Sequence, residues 1–210
     1  MRTLPTLILS TLLVLDAAWA QRAMETLNRG VVAVPAKGGG QLVSWRLLGD
    51  DPKSIAFNLY QQRPDQPPAR LNKDPISGAT NFLVSVDFAA ANAQYFVRSI
   101  IDSKEGESSP SAGFWESGFL EIPIKPIDGY RPGDASVGDL DGDGDYELVL
   151  QQSGRAHDNS HSGLTDPPIL DAYEFDGTHL WRIDLGKNIR DGEHYTQFIV
   201  YDLDGDGRAE

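Results

Sequence analysis

From about residue 30 onward the chain is written in short apolar–polar alternations broken by Gly, Pro, Asp and Asn, and helical periodicity is almost absent. The runs Gln41 to Leu47, Ile55 to Gln61, Asn81 to Phe88, Gln94 to Asp102, Glu147 to Gln151, Ala172 to Phe175 and Gln197 to Tyr201 predict strands. In Phe57-Asn58-Leu59-Tyr60 successive side chains point to opposite faces, so one face is expected to be buried. The stretch Ala172 to Asp184 predicts a hairpin that turns on Asp176-Gly177. The pattern is that of an all-β protein.

The start of the chain follows a different rule. Arg2 is followed by a mostly apolar run from Leu4 to Leu15, then by Ala18-Trp19-Ala20, a small-x-small site before Gln21. This predicts a signal peptide over residues 1–20 and export to the periplasm or the extracellular medium. The run is too short for a membrane-spanning helix, and no later run is long enough, so no membrane span is expected.

Charge changes the picture next. The chain carries 18 basic and 31 acidic residues, a net charge of −13, and no cysteine. Phosphates need cations opposite them, so a nucleic-acid partner is excluded. An exported chain without disulfides is held by a core, a ligand or a metal. Nine of the acids fall in two strings, Asp139-Leu140-Asp141-Gly142-Asp143-Gly144-Asp145-Tyr146-Glu147 and Asp202-Leu203-Asp204-Gly205-Asp206-Gly207-Arg208-Ala209-Glu210, which start 63 residues apart.

Carboxylates this close repel one another unless a cation neutralises them. Calcium takes six to eight oxygen ligands from carboxylates and backbone carbonyls. Asp139, Asp141 and Asp143 alternate so as to face one centre, Asp145 offers its carbonyl, and Glu147 closes the shell. Asp202, Asp204, Asp206, the carbonyl of Arg208, and Glu210 repeat those roles. The Glu stands ninth, not twelfth as in an EF-hand, and strand-like residues flank the first loop. Calcium is therefore the expected cofactor. Solvated Asp-Gly turns are the bland alternative, but turn chemistry alone does not require every alternate Asp twice. His157 and His161 lie in a polar stretch and read as loop residues. There is no Gly-x-Ser-x-Gly elbow, phosphate loop or cysteine nucleophile.

Two regions separate. Residues 30–112 are spaced like a small β-sandwich with Trp45, Phe57, Tyr60, Tyr95 and Phe96 inside. Gln41 to Trp45 and Ile55 to Tyr60 resemble the second and third strands of a fibronectin type III domain. Tyr95 to Ile100 resembles its sixth, and Gly106 to Ser111 the turn before its last. Residues 119–210 repeat a strand-rich unit with one loop type, the way a β-propeller blade is written. About one and a half units are present where at least four are needed, so the propeller is expected to be incomplete. Chelation is expected to lower the melting temperature of this region and to leave the sandwich unaffected.

The strings Ala135 to Gly144, Leu170 to Tyr173, Leu180 to Arg190 and His194 to Phe198, with Val43 to Gly49, resemble the bacterial rhamnogalacturonan lyases of polysaccharide lyase family eleven. The resemblance implies an eight-bladed propeller joined to a small β-sandwich, several calcium ions, and β-elimination on the rhamnogalacturonan-I backbone of pectin, an anionic plant polysaccharide. It implies that the catalytic base lies beyond Glu210, leaving this fragment inactive alone. The loop Gln151 to His157 departs from the Lys-Trp-Asp-like start that the family pattern implies. Asp158, Asn159, Asp171 and His194 are candidates for lining the cleft, as polar residues in or beside loops of the family-like stretch. Lys187 and Arg190 are basic residues near a family-like string and read as exposed charges, and Trp181 reads as core. No catalytic residue is assigned, and a monomer is expected. The alternative is a calcium-stabilised binding or adhesion module, since acidic loops on propellers also serve adhesion proteins.

Overall fold

The computed structural model describes residues 24–86, 89, 92–158, 160–192 and 196–210. The expected signal peptide, Asn159 and His194 lie outside them. Twelve strands and no helix are found among the described residues, so no helix there is long and apolar enough to cross a membrane. The strands form three antiparallel sheets.

The first sheet joins β1 (Val32–Pro35), β2 (Gln41–Ser44) and β6 (Asn81–Val84) in the order β1-β2-β6. The second runs β4-β3-β7-β8, from β3 (Ala56–Gln62), β4 (Ala69–Arg70), β7 (Gln94–Ile101) and β8 (Lys104–Ser108), with β5 (Ile76–Ser77) also on β3. Alternation decides what faces inward. Phe57 and Leu59 of β3 meet Tyr95 and Val97 of β7, and Val43 and Trp45 close over them from the first sheet. Trp45 and Phe57 meet edge to face at 5.4 Å. Tyr95 spans the core with a polar link: its hydroxyl donates to Gln41 of β2 and accepts from Nε2 of Gln61 on β3 at 2.9 Å. Residues 112–115 then bridge the sheets, with Ala112 pairing Tyr95 and Phe114 pairing Ala33.

Tyr60 is only half-buried, and its ring stacks on Phe96 with centroids 5.2 Å apart on the opposite face of the second sheet. Gly106 to Ser108 belong to β8 and not to a turn. The turn is Asp102-Ser103, both at positive φ (49° and 64°), the geometry that a right-twisted two-residue hairpin requires. The β8 strand is exposed throughout, so it has no apolar alternation to betray it.

The third sheet is a meander of β9 (Arg131–Gly138), β10 (Glu147–Ser153), β11 (Ile169–Tyr173) and β12 (His179–Asp184). The predicted hairpin joins β11 to β12, with Gly177 at φ 88° and Thr178 donating to Oδ1 of Asp176 at 2.7 Å. Pro132 disguises β9 as a loop. It is tolerated because β9 is an edge strand and the register slips between Leu150 and Gln152, opposite Pro132. No strand forms over Gln197 to Tyr201; only Tyr201 pairs, exchanging two backbone hydrogen bonds with Glu210 at 3.1 and 3.2 Å.

Leu59 sits at 0 % exposure in the centre of the sandwich core. Leu59→Ala is expected to cost about 2–5 kcal/mol through lost burial and a residual cavity. Urea unfolding followed through Trp45 fluorescence checks it, and a loss under about 1 kcal/mol would contradict the packing described.

Candidate functional site

The two acidic strings fold into the same loop. Loop 1 (139–147) connects β9 to β10, and loop 2 (202–210) repeats five of its hydrogen bonds at corresponding positions. In loop 1 the buried Asp139 carboxylate accepts from the backbone N–H of Gly142 at 2.7 Å, Asp143 at 3.1 Å and Gly144 at 2.9 Å. In loop 2 Asp202 accepts from Gly205 at 2.6 Å and Gly207 at 3.0 Å. Asp141 and Asp143 accept from the amides two residues on, as do Asp204 and Asp206. Glu147 accepts from Leu140 N–H at 2.6 Å and Glu210 from Leu203 N–H at 3.0 Å. Glycines at positive φ, 82° and 91° in loop 1, let the chain close this tightly.

Carboxylate oxygens of Asp139, Asp141 and Glu147 lie within 4.8 Å of one another, as do those of Asp202, Asp204 and Asp206. Asp143 and Glu210 lie outside these two groups. At corresponding positions the groups use all four side-chain places foreseen, but neither alone uses every one. Glu147 is 1 % exposed, and its Oε1 makes no hydrogen bond. Burial pushes its carboxyl up to about 7 against the Leu140 hydrogen bond, helped by Glu174, Asp141 and Asp139. A buried carboxylate that keeps one oxygen without a donor and converges with two others fits a cation. The donor set is oxygen only, which suits calcium better than zinc.

The loops touch. Ala209 N–H donates to the carbonyl of Asp139 at 2.7 Å, and the stem of Arg208 crosses Gly142. Segment 200–209 packs so closely on Gly138 that a Cβ there would meet Val200 and Ala209 at 2.6 and 2.7 Å. Loop 1 is also held from the sandwich, by Asn28 and Arg46.

At the other end of the meander lie the β10–β11 connection (154–168) and the segment after β12. Arg190 clasps them together, donating to the carbonyls of Gly163 at 3.0 Å, Asp158 at 3.3 Å and His161. The Asp158 carboxylate accepts from Ser160 N–H at 2.9 Å. Lys187 is exposed, as expected, but Arg190 is a structural clasp and not a free surface charge. His157 and His161 lie in the connection, away from the acidic loops.

Asp171, expected to line a cleft, is instead 0 % exposed in the middle of β11. Its carboxylate accepts from Arg182 at 2.7 and 2.9 Å and from the Tyr173 hydroxyl at 3.1 Å, and it bonds Nε2 of His179 at 3.0 Å. Gln152 donates to it from β10. Burial raises the Asp171 carboxyl, but Arg182, His179, Gln152 and Tyr173 together hold it down at about 2. Residues 151–153 are not loop: they complete β10, where Gln151 donates to the buried Asp191 carboxylate at 3.0 Å. Gln151, Gln152, Arg182, Asp191, Asn28 and Arg46 are the residues that sequence reasoning missed. A polar Gln-Gln-Ser run ending an apolar strand is the one signal that marked any of them.

An all-β chain that carries two copies of one oxygen-rich loop at the end of a four-stranded meander defines a narrow class, and known proteins identify it. A model described as the beta-sheet domain of rhamnogalacturonan I lyases matches residues 22–115, and one described as the C-terminal domain of rhamnogalacturonan lyase family 11 matches residues 126–210. The chain belongs to rhamnogalacturonan lyase family 11. It is 45% identical over 201 residues to the rhamnogalacturonan exolyase YesX of Bacillus subtilis, covering 90% of this chain and 32% of that protein. To the endolyase YesW of the same organism it is 45% identical over 205 residues, 92% of this chain and 32% of that one. The crystal structure of YesX superposes with a TM-score of 0.76 at 46% identity, covering 90% of this chain and 32% of that one. A rhamnogalacturonan lyase of Bacillus licheniformis superposes at 0.74 and 46%, covering 90% and 33%. The chain thus spans about a third of the length of the curated relatives it matches.

The depressed Asp171 carboxyl has a pH signature. Its stabilising contribution is fully present above the ordinary value of 3.8 and is lost as pH falls through about 2. Asp171→Asn should therefore melt below the parent at pH 6, with the gap closing between pH 4 and pH 2. Melting temperatures across that range check it, and a pH-independent gap would contradict the ion-pair account.

Proposed function

We propose that this chain acts as part of an exported, calcium-dependent rhamnogalacturonan lyase. The observation that carries the reading is the 45% identity, over nine-tenths of the chain, to proteins named as a rhamnogalacturonan exolyase and endolyase. The reaction removes the C5 proton of a galacturonate residue and expels the sugar on O4, leaving an unsaturated uronate. Calcium, when bound, supplies the positive charge that an anionic sugar needs beside so acidic a protein. Loop 1 would hold one ion through Asp139, Asp141, Asp143, Glu147 and the carbonyl of Asp145. Loop 2 would hold another through Asp202, Asp204, Asp206, Glu210 and the carbonyl of Arg208.

This chain's own part is architectural. The strand order β1-β2-β6 against β4-β3-β7-β8 supports a fibronectin type III-like sandwich. The four-stranded meander supports one blade of a propeller, and the pairing of Tyr201 with Glu210 supports the start of a second. Arg190 shapes the loop end that carries Asp158, the surviving candidate for meeting the polysaccharide among the described residues. The catalytic base is placed in the part of the relatives that this chain does not match. The signal-peptide pattern at the start of the sequence supports export, and the chain is read as a monomer.

Chelation should lower the melting temperature of the acidic-loop region, because clustered carboxylates lose their counter-charge. Calorimetry with and without calcium checks this, and identical traces would remove the metal from the reading. For activity, rhamnogalacturonan I is incubated with this chain and with a version fused to the remaining two-thirds or so of a relative, with calcium and with chelator. Calcium-dependent ultraviolet absorbance from the fused version alone is expected. Absorbance from neither, alongside intact calcium binding, would favour a binding module.

A further inference from the structure

Loops 1 and 2 share one backbone but not one neighbourhood. We propose that Asn28 and Arg46, reaching over from the sandwich, are positioning residues of the loop 1 ion site, so that ion uptake there and docking of the sandwich are one linked event. This rests on the calcium reading above. Asn28 N–H donates to the carbonyl of Gly144 at 2.9 Å, and its Nδ2 donates to Oδ1 of Asp145 at 2.8 Å. Arg46 donates to the carbonyls of Asn28 at 3.2 Å and Gly144 at 3.4 Å, and its guanidinium lies 4.1 Å from the centre of the Tyr146 ring. Residues 144–146 are thereby pinned immediately before Glu147. In the calcium reading Asp145 would offer its carbonyl to the ion, and Asn28 holds its carboxylate.

Loop 2 supplies an internal control. Gly144 and Gly207 hold the same loop position at φ 91° and 94°. A Cβ at Gly144 would meet Asn28 N at 3.1 Å and Thr26 O at 3.2 Å, whereas a Cβ at Gly207 would meet nothing within 4 Å. The backbone strain of a side chain is therefore equal at the two positions, and only loop 1 is crowded by the sandwich side. Groups that orient ligands from outside the first shell typically govern metal affinity by about 10–100-fold. Linkage makes the effect reciprocal: whatever docking adds to ion affinity, the ion adds to docking. The sandwich is then not indifferent to chelator.

Calcium titration by calorimetry separates the loops, with loop 1 read in an Asp204→Asn, Asp206→Asn background and loop 2 in an Asp141→Asn, Asp143→Asn background. Asn28→Ala with Arg46→Gln should weaken loop 1 about tenfold and leave loop 2 unchanged. Arg46→Lys, which keeps the charge but loses the planar guanidinium over the Tyr146 ring, should not rescue. Gly144→Ala should weaken loop 1 by more than Gly207→Ala weakens loop 2. In the parent chain, calcium should raise hydrogen-exchange protection of the Asn28 amide. An unchanged loop 1 affinity in the Asn28, Arg46 variant, or Asn28 protection indifferent to calcium, would overturn the proposal. No calcium uptake by the parent chain would overturn instead the metal reading on which it rests.

Discussion

A carboxylate taken out of water needs donors or cations around it, and among the described residues the second half of this chain carries five such groups: Asp139, Glu147, Asp171, Asp191 and Asp202. They are satisfied in different ways, and the differences organise the structure. Asp139 and Asp202 gather backbone N–H groups and so dictate the loops that surround them. Asp171 gathers Arg182, His179, Tyr173 and Gln152, which ties β10, β11 and β12 side chain to side chain across the sheet. Asp191 receives Gln151, and its own amide donates to Thr165, anchoring the segment after β12 to the β10–β11 connection. Glu147 and Asp191 each keep one oxygen without a hydrogen bond, and of the two only Glu147 belongs to a group of converging acids.

What could be read from the sequence follows from how local each signal is. The hairpin at Asp176-Gly177 and the two acidic loops were legible because turn residues and alternating acids lie within nine residues. The sandwich strands with alternating aromatics were legible for the same reason. The β9 strand was not, because Pro132 argues against pairing and only the register slip on β10 makes room for it. The β8 strand was not, because an exposed edge carries no apolar face. Asp171 misled for a physical reason: a lone acid beside loops looks functional until Arg182, eleven residues away, is seen to arrive on the neighbouring strand. Asn28 and Arg46 lie more than ninety residues from the loop they hold, and no spacing rule connects them.

The repeated loop shows where function and architecture part. Five kinds of hydrogen bond recur at positions 63 residues apart, so the local sequence suffices to build the loop wherever it falls. Its surroundings are a separate matter. Loop 1 lies between the sandwich on one side and loop 2 on the other, receiving Asn28 and Arg46 from the first and Ala209 from the second. Loop 2 has Arg208 where loop 1 has Asp145, and that side chain turns over its neighbour instead of towards its own centre. The same oxygen-rich fold thus serves once as a joint between two bodies and once as its support. The end of the meander that carries the long connection remains free of both tasks. The residues clasped by Arg190 lie at that end, where backbone carbonyls of the connection receive the guanidinium.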